Sequence, residues 1–172
     1  KGIDLLLYAS RLLKERGVKH QLAIAGSAAF GKGYEDVCRS IARHLRLEVS
    51  WTRQVSDELR SALYRASRCV VYPSIHREPF GMVATEAMAH GTPVIVPDHG
   101  GVGETIRIGG RAGGLAFRAW DSRDLADQLE RLLTDDALHA ALAAAGPGLA
   151  ARFSIDAMTD RLLAHMGLPM RA

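Results

Sequence analysis

The sequence predicts an α/β fold, a doubly wound parallel sheet with helices on both faces. Three observations predict it. Short apolar runs alternate with segments of helical period along nearly the whole chain. The runs end on glycine or proline, and polar capping residues open several of the helical segments. Such alternation buries a parallel sheet between two layers of helices, and right-handed crossovers wind the chain in both directions from its start.

The elements follow in order. Ile3 to Arg16 has apolar positions at helical spacing and stops at Gly17. His20 to Ala25 (HQLAIA) is a short strand ending at Gly26. Tyr34 to Leu45 is helical again, and Leu47 to Trp51 reads as a strand. Ser56 opens a helix whose first turn carries Asp57 and Glu58, matched in sign to the helix dipole. Arg68 to Tyr72 (RCVVY) is a strand stopped by Pro73. A helix over Phe80–His90 follows, then Gly91 and a strand Pro93–Val96 stopped by Pro97. The turn His99–Gly103 leads into a short helix near Glu104, and Leu115–Phe117 is a weak last strand. Three helices close the chain: Asp121–Leu133, Asp135–Ala145, and Ile155 to about Met166 capped by Ser154. No repeat or linker divides them, so residues 1–172 read as one Rossmann-like domain.

Composition narrows the class of partner. Hydrophobic residues make up 48% of the 172 and charged residues 24%, the profile of a globular domain with a real core. The excess charge, +3 from 22 basic and 19 acidic side chains, is small and scattered, which argues against nucleic acid. It leaves room for a mild attraction to polyphosphate ligands or to the anionic inner face of a membrane. No apolar run approaches the ~20 residues of a membrane span and no signal peptide opens the chain, so a cytoplasmic setting is expected. Lys1-Gly2 enters the first helix with no methionine, as if cut from a longer chain. Cys38 and Cys69 read as buried free thiols, with a disulfide between them left open.

The most informative stretch is Arg77-Glu78-Pro79-Phe80-Gly81-Met82-Val83-Ala84-Thr85-Glu86. It follows a strand and starts a helix. With the helix beginning near Phe80, the N–H groups of Gly81, Met82 and Val83 point out of its first turn and attract phosphate. Gly81, lacking a Cβ, lets a ligand approach the backbone. Glu78 in the loop and Glu86 inside the helix accept hydrogen bonds from hydroxyls. A ligand that offers both phosphates and hydroxyl pairs is a nucleotide sugar.

Here the chain resembles a known family. EPFGMVATEAMAHGTPVIVPDHGGVGETI is similar to the donor-binding segment of the group 1 family of retaining glycosyltransferases, which have the GT-B fold of two Rossmann-like halves facing across a cleft. KGIDLLLYASRLL, LAIAGSA, VSDELRSALYRASRCVVYPS, LAFRAWDSRDLADQLERLL and ARFSIDAM resemble further parts of its second half. The resemblance implies roles. Glu78 holds hydroxyls of the donor sugar, and Phe80, Gly81, Met82 and Val83 contact sugar and diphosphate through their backbone. Glu86 accepts from the ribose, Lys1 neutralises the departing diphosphate, and the strand end at Gln54 and Val55 meets the base. It also implies a UDP- or GDP-sugar donor, no cofactor or required metal, and an acceptor-binding domain upstream of this chain. Two departures stand out. Arg53 and Gln54 replace a usual glycine, and Gly103 stands where a proline often precedes Glu104. The arginine normally found a few residues before the family's KG pair would lie upstream of Lys1.

Other candidates weigh less. Gly26–Gly33 (GSAAFGKG) nearly spells a phosphate-binding P-loop, but Gly33 supplies no oxygen where Ser or Thr must hold magnesium. Gly100-Gly101-Val102-Gly103 is an incomplete dinucleotide fingerprint, since Ile106 takes the place of the third glycine, and it reads as a tight turn bordering the cleft. The seven histidines do not cluster at metal-ligand spacing, and His76 reads as an exposed loop residue. Trp51 and Trp120 read as packing residues, with a place beside a nucleobase as the alternative. Rival functions are a nucleotide-sugar epimerase or phosphorylase of the same architecture, or a non-catalytic nucleotide- or partner-binding domain. No lysine suited to pyridoxal phosphate stands out for a phosphorylase.

Overall fold

The computed structural model describes residues 2–26 and 33–168. Eight helices and seven strands alternate through them: α1 Ile3–Glu15, β1 Leu22–Ile24, α2 Gly33–His44, β2 Val49–Trp51, α3 Asp57–Ala66, β3 Val70–Val71, α4 Met82–Ala89, β4 Val94–Pro97, α5 Val102–Thr105, β5 Arg107–Ile108, β6 Arg111–Ala112, β7 Gly114–Phe117, α6 Ser122–Thr134, α7 Asp136–Ala150 and α8 Ile155–His165. The expected order of elements is present, within a residue or two at most ends. The P-loop-like residues 27–32 and Lys1 lie outside the described residues.

Within each main block the strands run parallel. β1 pairs with β2 in the register Leu22↔Val49, and the order β3-β4-β7 is set by Val70↔Val94 and Val94↔Gly114. Among the described residues no ladder joins β1 to β3, so the expected continuous sheet is realised as two parallel blocks. They share one core nonetheless: Leu22 of β1 and Val71 of β3 pack against the same buried cluster.

β4 shows why both faces are covered. Side chains alternate along a strand, and every residue of β4 is buried. Ile95 faces the layer of α1 and α6, meeting Leu6, Leu13, Leu125, Leu129 and Leu132. Val94 and Val96 face the other layer, where Ala84, Ala87 and Met88 of α4 lie with Ala150 of α7. Each fully buried Leu or Ile on these faces contributes about 1.5–3 kcal/mol. Because the strands of the larger block are parallel, the loops after β3, β4 and β7 leave from one edge of it.

Three local readings need correction. α7 does not stop near Ala145 but runs through Pro147 to Ala150. Proline inside a helix costs about 3 kcal/mol. Here Gly146 lies close to the Met88 backbone, where a Cβ would come within 3.0 Å of the Met88 carbonyl oxygen, and the continuation buries Leu149 and Ala150. A β5–β6 hairpin, with Arg107↔Ala112 and Ile108↔Arg111 paired, was not read from sequence. Its signal is Gly109-Gly110, both at positive φ, as a two-residue hairpin turn requires. Trp120 does not pack: it is 62% exposed on a left-handed backbone. Trp51 is half-buried beneath the Arg39 guanidinium, 4.6 Å from its ring centroid. Cys38 and Cys69 are both free.

Candidate functional site

The site lies at the edge where the parallel strands end, and it is built by the loops after β3 and β4. The β3 loop carries Glu78 to α4, and the β4 loop, Asp98 to Gly101, lies directly against it. The Gly101 N–H donates to the Glu78 carbonyl oxygen at 2.8 Å. Contact this close leaves no room for side chains. A Cβ on Gly101 would stand 2.0 Å from the Pro79 carbonyl oxygen, and one on Gly100 would stand 2.6 Å from that of Glu78. The glycine cluster that resembles part of a dinucleotide fingerprint therefore serves as the seat of the Glu78 loop.

The helix start differs from the expected one. Gly81 has φ 78° and ψ 63°, a left-handed conformation that places it outside the helix, as its N-cap. A side chain there would strain the backbone and meet Val102 Cγ2 at 2.6 Å. α4 thus begins at Met82 rather than near Phe80, and the Gly81 amide does not belong to its first turn. The Ala84 N–H bonds back to the Gly81 carbonyl at 2.9 Å. The amides of Met82 and Val83 are the helix-start groups with no acceptor inside α4. Both residues stand at the surface, Met82 68% exposed and Val83 36%.

Each acid is braced by a tyrosine. The Tyr72 hydroxyl, at the end of β3, donates to Glu78 Oε2 at 2.7 Å. The Tyr64 hydroxyl, on α3, donates to Glu86 Oε2 at 3.1 Å, and the Arg60 guanidinium pairs with that oxygen as an ion pair, Nε at 3.2 Å. Burial, and then the charge of Glu86, push the Tyr64 phenol up to about 12, so it stays a donor at neutral pH. Sequence reasoning missed Tyr64, Tyr72 and Arg60. Nothing in their local sequence marks them, beyond the place of Tyr72 directly before the Pro73 stop.

The remaining candidates sort by position. The Phe80 ring packs edge-on against Phe153, centroids 5.2 Å apart, so its side chain anchors the loop while its backbone borders the site. Val55 is half-buried in the loop after β2, on the other parallel block from the two acids, so the structure does not bring it together with them. That loop is tied to the end of β1 by the Gly26 N–H and the Arg53 carbonyl, 3.4 Å apart. Lys1 is not described, but Gly2 beside it is buried against the turn after β3, where a Cβ would fall 2.1 Å from the Pro73 carbonyl oxygen. His76 is exposed, as expected. His99 Nε2, in the β4 loop, is buried with no hydrogen-bond partner among the described residues, and nothing in the structure explains it. Among the described residues no group of three or more His, Cys, Asp or Glu side chains is placed to hold a metal ion, and no helix is long and apolar enough to cross a membrane.

The arrangement defines a class of protein: a parallel α/β domain with one braced carboxylate in the loop after β3 and a second within α4, around the first turn of that helix. Comparison with known proteins gives the family. The sequence profile of the family "Glycosyl transferases group 1" matches residues 1–148. The D-inositol 3-phosphate glycosyltransferase of Rhodococcus erythropolis is 38% identical over 144 residues, 83% of this chain and 32% of that protein. The crystal structure of Anabaena HepE in complex with UDP and glucose matches with a TM-score of 0.84 at 25% identity, over 97% of this chain and 45% of that one. Sucrose-phosphate synthase from Thermosynechococcus elongatus matches with a TM-score of 0.82 at 30% identity, over 97% and 42%.

The chain belongs to the group 1 glycosyltransferase family, and its fold is a Rossmann-like half of the GT-B architecture. It spans 32% and 39% of the length of two of the curated relatives it matches.

Proposed function

We propose that this chain is the donor-binding half of a retaining glycosyltransferase, which moves a sugar from a nucleoside diphosphate sugar to an acceptor. One observation carries the reading. Glu78 and Glu86, each bonded to a tyrosine hydroxyl, flank the open amides of Met82 and Val83 at the C-terminal edge of the sheet. The amides suit a diphosphate and the carboxylates suit hydroxyls on either side of it. The UDP and glucose named for the Anabaena structure fit a donor of this chemistry.

In such a transfer the bond from sugar C1 to the diphosphate breaks with oxocarbenium character, and the leaving oxygen gains negative charge. Aligned amides and a fixed cation stabilise that charge more in the transition state than in the ground state. The Met82 and Val83 amides supply the first, and Lys1, next to the buried Gly2, supplies the second. Glu78 orients the sugar and offsets positive charge growing on its ring. It is not a covalent nucleophile, because bonds to the sugar hydroxyls turn it away from C1. Uncharged backbone donors together with lysine take the part a metal would otherwise play. Closure against an acceptor-binding half upstream completes the site, so this half alone binds donor weakly and transfers little.

Calorimetric titration of the full-length protein with UDP- and GDP-sugars tests the reading. Saturable binding of at least one is expected; no binding of either at millimolar ligand would overturn it.

A further inference from the structure

The bracing of Glu86 has a consequence for which nucleotides the site accepts. Oε2 of Glu86 is already engaged by the protein: it accepts the Tyr64 hydroxyl at 3.1 Å and forms an ion pair with Arg60 Nε at 3.2 Å. A hydroxyl donor and an adjacent guanidinium charge together hold that oxygen on the protein side. Among the described residues Oε1 has no recorded partner, and the side chain is 38% exposed. One oxygen is committed to the protein and the other, with room for two hydroxyl donors, is presented to a ligand.

The clamp is itself held in place. Tyr64 is 7% exposed, and its carbonyl accepts the buried Thr92 hydroxyl at 2.7 Å. Its ring lies against His90, centroids 5.4 Å apart, and His90 Nδ1 sits 2.8 Å from the Glu86 carbonyl oxygen. Arg60 is shared between Glu86 and Asp57, whose Oδ1 lies 3.0 Å from Arg60 Nη1. Ser56 caps the helix that carries both side chains, its hydroxyl accepting the Leu59 N–H at 3.3 Å. A carboxylate fixed in this way loses little rotamer freedom when a ligand arrives. An exposed arginine–glutamate pair alone contributes about 0–1 kcal/mol to stability, so stability is a weak reason for the arrangement.

We infer that Arg60 and Tyr64 are positioning residues that turn Glu86 Oε1 toward a vicinal diol, so that the site selects ribonucleotides against 2′-deoxyribonucleotides. The inference rests on the donor-site reading above and assigns to α3 a part in it. Neither residue touches the ligand; both act through Glu86.

The test compares UDP and GDP with 2′-deoxy-UDP and 2′-deoxy-GDP, titrated into full-length wild type, Tyr64→Phe, Arg60→Gln and Arg60→Lys. Wild type should bind the better ribonucleotide about tenfold more tightly than its 2′-deoxy counterpart. In Tyr64→Phe and Arg60→Gln that ratio should fall to about threefold or less, because the ribonucleotide loses two hydroxyl contacts to Glu86 and the 2′-deoxy ligand only the one from its 3′-hydroxyl. Arg60→Lys, which keeps the positive charge, should recover part of the ratio. A merely structural role would weaken all ligands alike and leave the ratio where it was. Nucleotide binding with a ratio unchanged in both Tyr64→Phe and Arg60→Gln overturns this inference alone. Failure of wild type to bind any of the four overturns the donor-site reading and this inference with it.

Discussion

The Tyr72 hydroxyl donates to Glu78 Oε2 at 2.7 Å, across the turn that leads from the end of β3 into the motif. A strand residue thereby sets the direction of the loop acid six positions later. The hydrogen bond is to a charged group, and such bonds contribute more than neutral ones. Tyr72→Phe keeps the ring and removes only the donor. It should lower kcat/KM for the donor by about tenfold, the equivalent of about 1.4 kcal/mol. Steady-state kinetics with full-length protein will show it, and a change below twofold would leave Glu78 positioned by other contacts.

The two acids should separate by readout. Glu86→Ala removes the ribose acceptor, so affinity for the free nucleoside diphosphate should fall about tenfold or more, together with that for the sugar nucleotide. Glu78→Ala should leave the free diphosphate bound nearly as before and reduce the preference for the sugar nucleotide over it. Titrating both ligands into both variants checks the division, and equal losses in the two variants would refute it.

Gly101 is a seat for backbone rather than a hinge. A Cβ there would lie 2.0 Å from the Pro79 carbonyl oxygen, and backbone cannot swing aside as a flexible side chain can. Gly101→Ala should force the β3 and β4 loops apart and break the Gly101 N–H bond to the Glu78 carbonyl. The expected cost is about 2 kcal/mol or more in urea unfolding, with donor affinity reduced as well. Gly103→Ala is the control, because nothing lies within 4 Å of its added Cβ. It should change stability by less than about 1 kcal/mol.

Asp121 caps α6, its Oδ1 accepting the N–H groups of Arg123 at 2.9 Å and Asp124 at 3.0 Å. Those bonds, the one from Asp124 foremost, hold its carboxyl below the ordinary aspartate range. The pKa is therefore lower folded than unfolded. The stabilisation is present above about pH 4 and is lost as the pH falls through the folded value. Asp121→Ala should cost about 1 kcal/mol at pH 7 and progressively less as the pH falls below the ordinary aspartate value of about 3.9. Asp121→Asn, which keeps an acceptor oxygen, should retain most of the cap at both. Urea melts across this range decide it.

Much of the fold was legible because its signals are local. Helical period, Ser56, Asp121 and Ser154 at helix starts, and Gly17, Gly91 and Pro73 at element ends each act on their own neighbours. The Glu78–Glu86 string was legible for the same reason: strand, loop, glycine and helix follow one another directly. Gly109-Gly110 was equally local and was passed over.

What the sequence by itself determined, then, was the alternation of elements and the place of the two acids around a helix start. Tertiary structure alone decided the rest. It moved the start of α4 to Met82, because Gly81 must pass Val102. It carried α7 through Pro147, because Leu149 and Ala150 reach the core on the far side. It chose Tyr64, 22 residues before Glu86, as the brace for that acid. Period and capping act over a turn or two of chain, whereas these outcomes depend on which surfaces meet when helices from distant parts of the sequence pack on one sheet.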